Sequence, residues 1–434
     1  MLKSFETLRR FRARVYQMFD GSRDAVFEII DGIASSPYAR SAVEVSESHL
    51  VMRKFSSVYK GLERTRIREE ALRELLVETC DQNGILMVSG YAIQALDHTA
   101  HPRIGAKTVA DRGSVRDGRG NIVGHQYSLL GRVMHAAGAW VGVEDCERIP
   151  TSKTPVQVGC EQIARLRATS KLKHIITADT EYLSQEMLDQ ASESTQLLIR
   201  LRGNRIMFHK CANERRVGMY GRPPLHGRKV RLADARTLGK PTVHVDVLDQ
   251  DGERVEIDVY GGLHFLTRPR CSGSLIRVRV FRKDGTPKFP RPIWLFWSGP
   301  DDVDWTTFWR IYLRRFCIES VHQFAKNSLA WTSHRLGYTE REERWSWLVM
   351  LGYWQLLLAA PEAPDVYRPW EKPMPAGRVL TPARVQRAYP GIIASIGTPA
   401  CIPKPRGKSP GRPRGFHPTP RLRYSVIIKA HNTT

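Results

Sequence analysis

The sequence predicts an α/β protein with an all-β block inserted into it and helical segments on either side. Three observations predict it. Strand and helix patterns alternate between residues 85 and 202, period-two strands fill 203–303, and helical spacing governs 1–80 and 304–360. In 1–80, Val26, Ile29, Ile30 and Ile33, then Leu72, Leu75 and Leu76, recur at helical intervals, which predicts a small helical domain. It carries 14 Lys/Arg against 12 Asp/Glu, a balance that suits packing as well as DNA contact.

From 85 onward, Ile85–Val88, Tyr91–Leu96, His125–Val133 and Ala139–Val143 read as strands, with turn chemistry at Asp117-Gly118 and Gly120. Thr154–Thr169 reads as a helix with Val156, Cys160, Ile163, Ala164 and Leu166 inward. His174–Ala178 is a short strand ending at Asp179, Leu183–Ala191 a helix and Gln196–Ile199 a buried strand. In the all-β block, Thr242–Leu248 and Arg254–Val259 alternate and join through Asp251-Gly252, a hairpin signature. Ser274–Arg282 puts Ile276, Val278 and Val280 on one face and Arg277 and Arg279 on the other, a basic face that suits either a phosphate backbone or plain solvation. Pro292–Trp297 closes the block. Helices resume over Asp304–Ala360. Residues 361–423 are dense in Pro, Arg and Gly, and a largely disordered basic arm is expected from Pro399.

The formal net charge is +23, with a pI near 10, and most of it sits in two stretches. Arg200–Arg231 holds 10 basic residues against Glu214 alone, and Lys404–Arg423 holds 7 with no acid, so a polyanionic partner is expected. Seven scattered cysteines without a C-x-x-C pair argue against a disulfide framework and a zinc finger and fit a reducing cytoplasm. The N-terminus lacks a signal-peptide core, and the longest apolar run, Trp347–Ala360, is too short to span a bilayer, so no membrane association is expected.

The chemistry concentrates on Tyr312–Lys326. As one helix, Tyr312, Arg315, Glu319 and Lys326 fall within an arc of about 60°, while Ile311, Ile318, Val321, Ala325 and Leu329 form an apolar stripe opposite. One face is expected to pack and the other to stay free for chemistry. Asp97 and Asp179 each follow a predicted strand, at the end where a sheet opens to solvent. Singly, each acid reads more readily as a turn, a cap or half of a surface ion pair. Together, three carboxylates are ligands suited to Mg²⁺, and two such ions can lower the pKa of an attacking water and hold a leaving oxygen. His98 and His101 have a spacing open to metal but no Cys or further His nearby, so zinc is not expected. Ser409–Gly415, with Arg412 and Arg414, resembles an AT-hook; its plainer reading is a basic tail that holds any duplex weakly.

Tyr312-x2-Arg315-x3-Glu319-x6-Lys326 resembles the Y-R-E-K signature of bacterial insertion-sequence transposases of the DDE superfamily. Leu96-Asp97-His98-Thr99 is similar to that group's first-Asp motif and Thr177–Tyr182 to its second, with gaps of 82 and 140 positions between the acids. His98 stands where many relatives have a second Asp. Gly221–Pro224 and Arg344–Leu348 also resemble actinobacterial-type members. The resemblance implies an RNase H-like core in 81–202 and 304–360, interrupted by the β-rich insertion 203–303, with the arm at 361–434. It implies a metal-binding triad of Asp97, Asp179 and Glu319 served by two Mg²⁺ or Mn²⁺ ions. Tyr312, Arg315 and Lys326 would hold DNA phosphates, and Trp294 or Trp297 could stack on a flipped base, worth about 1–3 kcal/mol, although a place in the insertion core suits either better. The implied activity is cut-and-paste transposition by a homodimer on double-stranded DNA, at terminal inverted repeats and at the target. The alternatives are a transposase-derived DNA-binding protein without cleavage, and an RNase H-like structure-specific nuclease.

Overall fold

A computed structural model describes residues 5–83, 86–118, 120–134, 140–211, 224–249, 252–375, 377–405, 407 and 411–428. Ile85, Ala139, Gly221–Pro223, Asp251, Ser409 and Pro410, which belong to motifs predicted above, lie outside these residues. The chain divides into two compact units. One comprises Met1–Gly84, His98–Thr154 and Cys317–Thr434; the other comprises Ile85–Asp97 and Pro155–Phe316.

The first unit is built around two buried helices. Arg23–Ser35 is buried from Ala25 through Ala34, and Thr339–Ala359 is buried from Trp345 through Ala359. They cross closely because Gly352 offers no side chain: a Cβ there would stand 3.3 Å from Ile33 Cγ2 and 3.5 Å from Ile30 O. Around this pair pack Glu6–Gln17 and Phe55–Arg64, while Glu69–Gln82, with Leu72, Leu75 and Leu76 buried, packs on strand Val141–Ile149 and helix Glu6–Gln17. Strands Gly113–Asp117, Gly120–Val133 and Val141–Ile149 run antiparallel in succession. Arg12 is buried yet charged because Asp31 meets it in two bonds, Nη1 to Oδ1 at 2.5 Å and Nη2 to Oδ2 at 3.0 Å, while Gln355 and Tyr389 also accept from it. That cluster joins helices from both ends of the chain, so the expected boundaries at 80 and 361 do not separate compact bodies.

The expectations for the segment after 361 are corrected in two places. Pro382–Ile396 is a helix whose Val385, Ala388, Tyr389, Ile392 and Ile393 are buried, and it packs on Thr339–Ala359. Further on, Tyr424 N donates to Lys107 O and Ile427 N to Arg112 O, both at 2.8 Å, tying the chain down by its backbone.

The second unit holds a mixed sheet. The early part of strand Tyr91–Pro102 lies parallel to Lys173–Ala178, which lies parallel to Thr195–Leu201. Helix Pro155–Thr169 covers them, and Gly159 lets it come down onto Leu96 and Tyr182, where a Cβ would meet atoms at 2.9 and 3.1 Å. Antiparallel strands continue the same sheet: Ile293–Trp297 on Thr195–Leu201, then Arg268–Phe281, then Arg254–Phe265 with Val243–Leu248 beside it. The block expected to be a separate all-β insertion thus shares a sheet with the parallel strands, and it includes one helical turn, Ala235–Leu238. Two other expectations change. Leu183–Ala191 shortens to a helical turn at Gln185–Leu188, and Tyr312–Lys326 is two helices, Trp305–Arg314 and Phe316–Ser328, broken at Arg315.

Candidate active site

Asp97 and Asp179 belong to the second unit, on neighbouring parallel strands. Ala95 pairs with Thr177 in the parallel register, and each aspartate stands two residues beyond its member of that pair, Asp97 inside Tyr91–Pro102 and Asp179 just after Lys173–Ala178. The strands are anchored just upstream, where Thr177 Oγ1 donates to Gln94 O at 2.7 Å in a dry core. Asp179 caps the single turn Thr180–Tyr182, its Oδ1 accepting from Thr180 N at 2.7 Å. Asp97 is 17% exposed, and Arg315 Nη1 lies 3.8 Å from its Oδ2.

Arg315 occupies the break between the two helices and is buried, with its guanidinium carbon 4.7 Å from the Phe316 ring. Tyr312 is buried as well, and its hydroxyl has no hydrogen-bond partner among the described residues. Burial pushes the phenol pKa up, Asp179 adds to the rise, and Arg315 and Arg200 oppose it. The face expected to be free for chemistry is therefore mostly covered at these two positions.

A cavity of about 1110 Å³ opens beside Asp179 within this unit. Arg200, Arg202, Arg277 and Arg291 line it, Asp179 is its acid, and Phe289, Trp294, Trp309, Tyr312 and Phe316 supply aromatic surface. Guanidinium groups for phosphates and flat rings for bases suit a nucleic acid strand. Of the two tryptophans singled out by sequence, Trp294 is on this wall with Arg277 5.9 Å from its ring, whereas Trp297 is core: its Nε1 donates to Pro300 O and its ring packs on Phe308 at 4.5 Å. Sequence reasoning missed Phe289 and Trp309. Trp309 had a usable signal, lying three residues before Tyr312 on the same helix. The face carrying Arg277 and Arg279 is largely neutralised from the neighbouring strand, since Asp258 meets Arg277 at 2.7 Å and Glu256 meets Arg279 at 2.6 Å.

Glu319 and Lys326 belong to the first unit, on Phe316–Ser328, both half-buried. Lys326 Nζ donates to Thr99 Oγ1 at 2.6 Å and to Ala100 O at 2.9 Å, gripping the strand shortly after Asp97. Among the described residues, no group of three or more His, Cys, Asp or Glu stands together as a metal cluster. The carboxylates of Asp97 and Asp179 are hard oxygen donors, and the cavity at Asp179 leaves room for water and phosphate, which is the donor chemistry that Mg²⁺ takes. His101 packs its ring 4.3 Å from Trp331 and 4.5 Å from Tyr127 in the first unit's core. Arg412 and Arg414 are exposed.

Asp179 stands at a cavity lined by arginines and aromatic rings, and Asp97 lies on the neighbouring parallel strand. A family model for the DDE superfamily endonucleases matches residues 14–263, more than half of the chain, and the chain belongs to that family. It is a transposase-like nuclease of the DDE type. The matched span includes Asp97 and Asp179 and ends before Tyr312. A search of curated proteins finds no match.

Proposed function

We propose that this protein is a DNA transposase of the Y-R-E-K group with an RNase H-like core, cutting at transposon ends and joining them to target DNA. The observation that carries the reading is Asp179 at a cavity lined by arginines and aromatic rings, with Asp97 on the neighbouring parallel strand. Asp97, Asp179 and Glu319 would hold Mg²⁺ or Mn²⁺, which supplies charge to activate water and to stabilise a departing 3′-oxygen. Arg315 holds Asp97 and, with Tyr312, sits where the phosphate nearest the cut would lie. Lys326 fixes the strand after Asp97 and can release one of its three protons' partners to reach DNA. Arg200, Arg202 and Arg291 draw the backbone into the cavity, and Trp294 or Trp309 offers a ring to an unstacked base. Two ends must be brought together, so the active form is a homodimer on DNA, with Arg412 and Arg414 as auxiliary contacts to A·T-rich duplex.

The test is cleavage of a duplex bearing the element's inverted-repeat ends in Mg²⁺. Wild type should nick at the repeat boundary, and Asp97→Asn, Asp179→Asn and Glu319→Gln should each lose at least a hundredfold in rate while still binding DNA. Nicking that survives in all three variants refutes the site. Binding without nicking by wild type returns a DNA-binding protein, and preference for branched junctions over repeat ends returns a structure-specific nuclease.

A further inference from the structure

A second cationic pocket, of about 430 Å³, lies wholly within the first unit. Its walls are the loop after strand Tyr91–Pro102, the loop between helices Phe316–Ser328 and Thr339–Ala359, and one residue of the C-terminal segment, Arg421. Three arginines line it and no acid does.

The three arginines do different things. Arg103 is buried and already spent: its Nε donates to Glu342 Oε1 at 2.7 Å, its Nη1 to Pro102 O at 2.8 Å and Thr332 O at 2.9 Å, and its Nη2 meets His334. It is a clamp that fixes both loops. Arg335 is exposed and Arg421 is exposed, and neither makes an ion pair with a described residue. Arg421 lies 5.3 Å from the Tyr338 ring, and its Nη1 comes so close to Gly337 that a Cβ there would stand 3.0 Å away. Its place is set by the backbone beyond it, since Tyr424 N bonds Lys107 O and Arg112 Nη2 donates to Tyr424 O, both at 2.8 Å. The Ser333 hydroxyl, on the same wall, is buried without a partner among the described residues. Two uncompensated guanidinium groups, a spare hydroxyl and loops rich in small residues are the features of a site for a tetrahedral oxyanion.

We propose that this pocket takes a backbone phosphate of duplex DNA away from the point of cleavage, an inference that rests on the transposase reading. Nothing in its walls matches base edges beyond generic donors, so it positions the duplex rather than reading it. Arg412 and Arg414 precede Arg421 by nine and seven residues in the same exposed segment, a reach of at most about 25 Å from Arg414. One stretch of backbone can therefore be held by the pocket while the same segment follows it.

The experiment measures binding of the full chain to a fluorescent duplex by anisotropy across a KCl series. Arg335→Ala and Arg421→Ala should each weaken binding several-fold near 0.1 M salt and lower the slope of log affinity against log salt by about one. Arg335→Lys should keep most of the slope. Arg378→Ala, at an exposed position outside the pocket, is the control for bulk charge. Wild-type slope in both alanine variants, or an equal loss in the control, overturns the proposal. Wild type that binds no duplex removes the transposase reading itself. Inorganic phosphate is the second arm: if it raises the melting temperature of wild type but not of Arg335→Ala while DNA binding is untouched, the pocket serves a small free anion and the DNA assignment is overturned.

Discussion

At the scale of single residues, the site is decided by what burial does to groups that the sequence shows only as polar. Tyr312 looks like a surface phosphate ligand in the sequence and is found buried with an unpaired hydroxyl. Tyr312→Phe should change the melting temperature little, because the hydroxyl makes no well-formed hydrogen bond among the described residues and the Arg315 guanidinium stands near it; if the hydroxyl holds a phosphate, the same variant weakens binding to cleavage-site DNA. Both tryptophans are buried, so Trp297→Ala and Trp294→Ala should each cost about 3–5 kcal/mol in chemical denaturation, and Trp294→Phe, at the cavity wall, should weaken DNA binding where Trp297→Phe does not. His101 and His334 give a pH dependence. Burial, then Arg103, hold both rings well below the ordinary imidazole value of 6.5. The unfolded chain takes up protons near pH 6.5 that the folded one refuses, so stability is full above that value and falls as pH drops below it, by up to about 1.4 kcal/mol per unit for each ring. Denaturant melts at pH 7.5 and 5.5 should show the loss, and His101→Phe should shrink the difference.

At the scale of elements, most strands were legible because apolar alternation and β-branched runs survive in any context, and Asp97 and Asp179 were legible as residues that end such runs. That the strands leading to them lie side by side was not, because pairing between parallel strands joins positions 82 residues apart rather than following local pattern. The helical pattern over Tyr312–Lys326 reads as continuous because every residue there tolerates helix; Arg315 itself keeps right-handed helical angles, and its N–H bonds Tyr312 O in a tightened turn that no propensity encodes. Helix Pro382–Ile396 was hidden by Pro382 and Pro390, although its apolar residues keep the helical interval. Strand Gly120–Val133 depends on one close approach: a Cβ on Gly124 would lie 2.1 Å from His101 O. Gly124→Ala should cost about 3 kcal/mol, readable as a lowered denaturation midpoint with unchanged slope.

At the scale of the whole molecule, the basic balance is not a uniform coat. The interior carries matched charge, as Arg12 with Asp31 and Arg132 with Glu144, and Arg277 of the cavity and Arg103 of the pocket are paired with Asp258 and Glu342, while Arg335 and Arg421 of the pocket are exposed. Asp31→Ala strands a buried guanidinium and should destabilise by about 3–5 kcal/mol, visible as an early calorimetric transition. The sequence placed the surplus charge in the right stretches, but it could not show which arginines were neutralised, because the partners arrive from distant strands and helices. The shared use of both chain ends in the first unit has a consequence for synthesis. Helix Arg23–Ser35 leaves the ribosome long before Thr339–Ala359 and Pro382–Ile396, the segments that cover it. A chain cut before Thr339 would leave the apolar face of Arg23–Ser35 uncovered, so such a truncation should aggregate where the full chain does not.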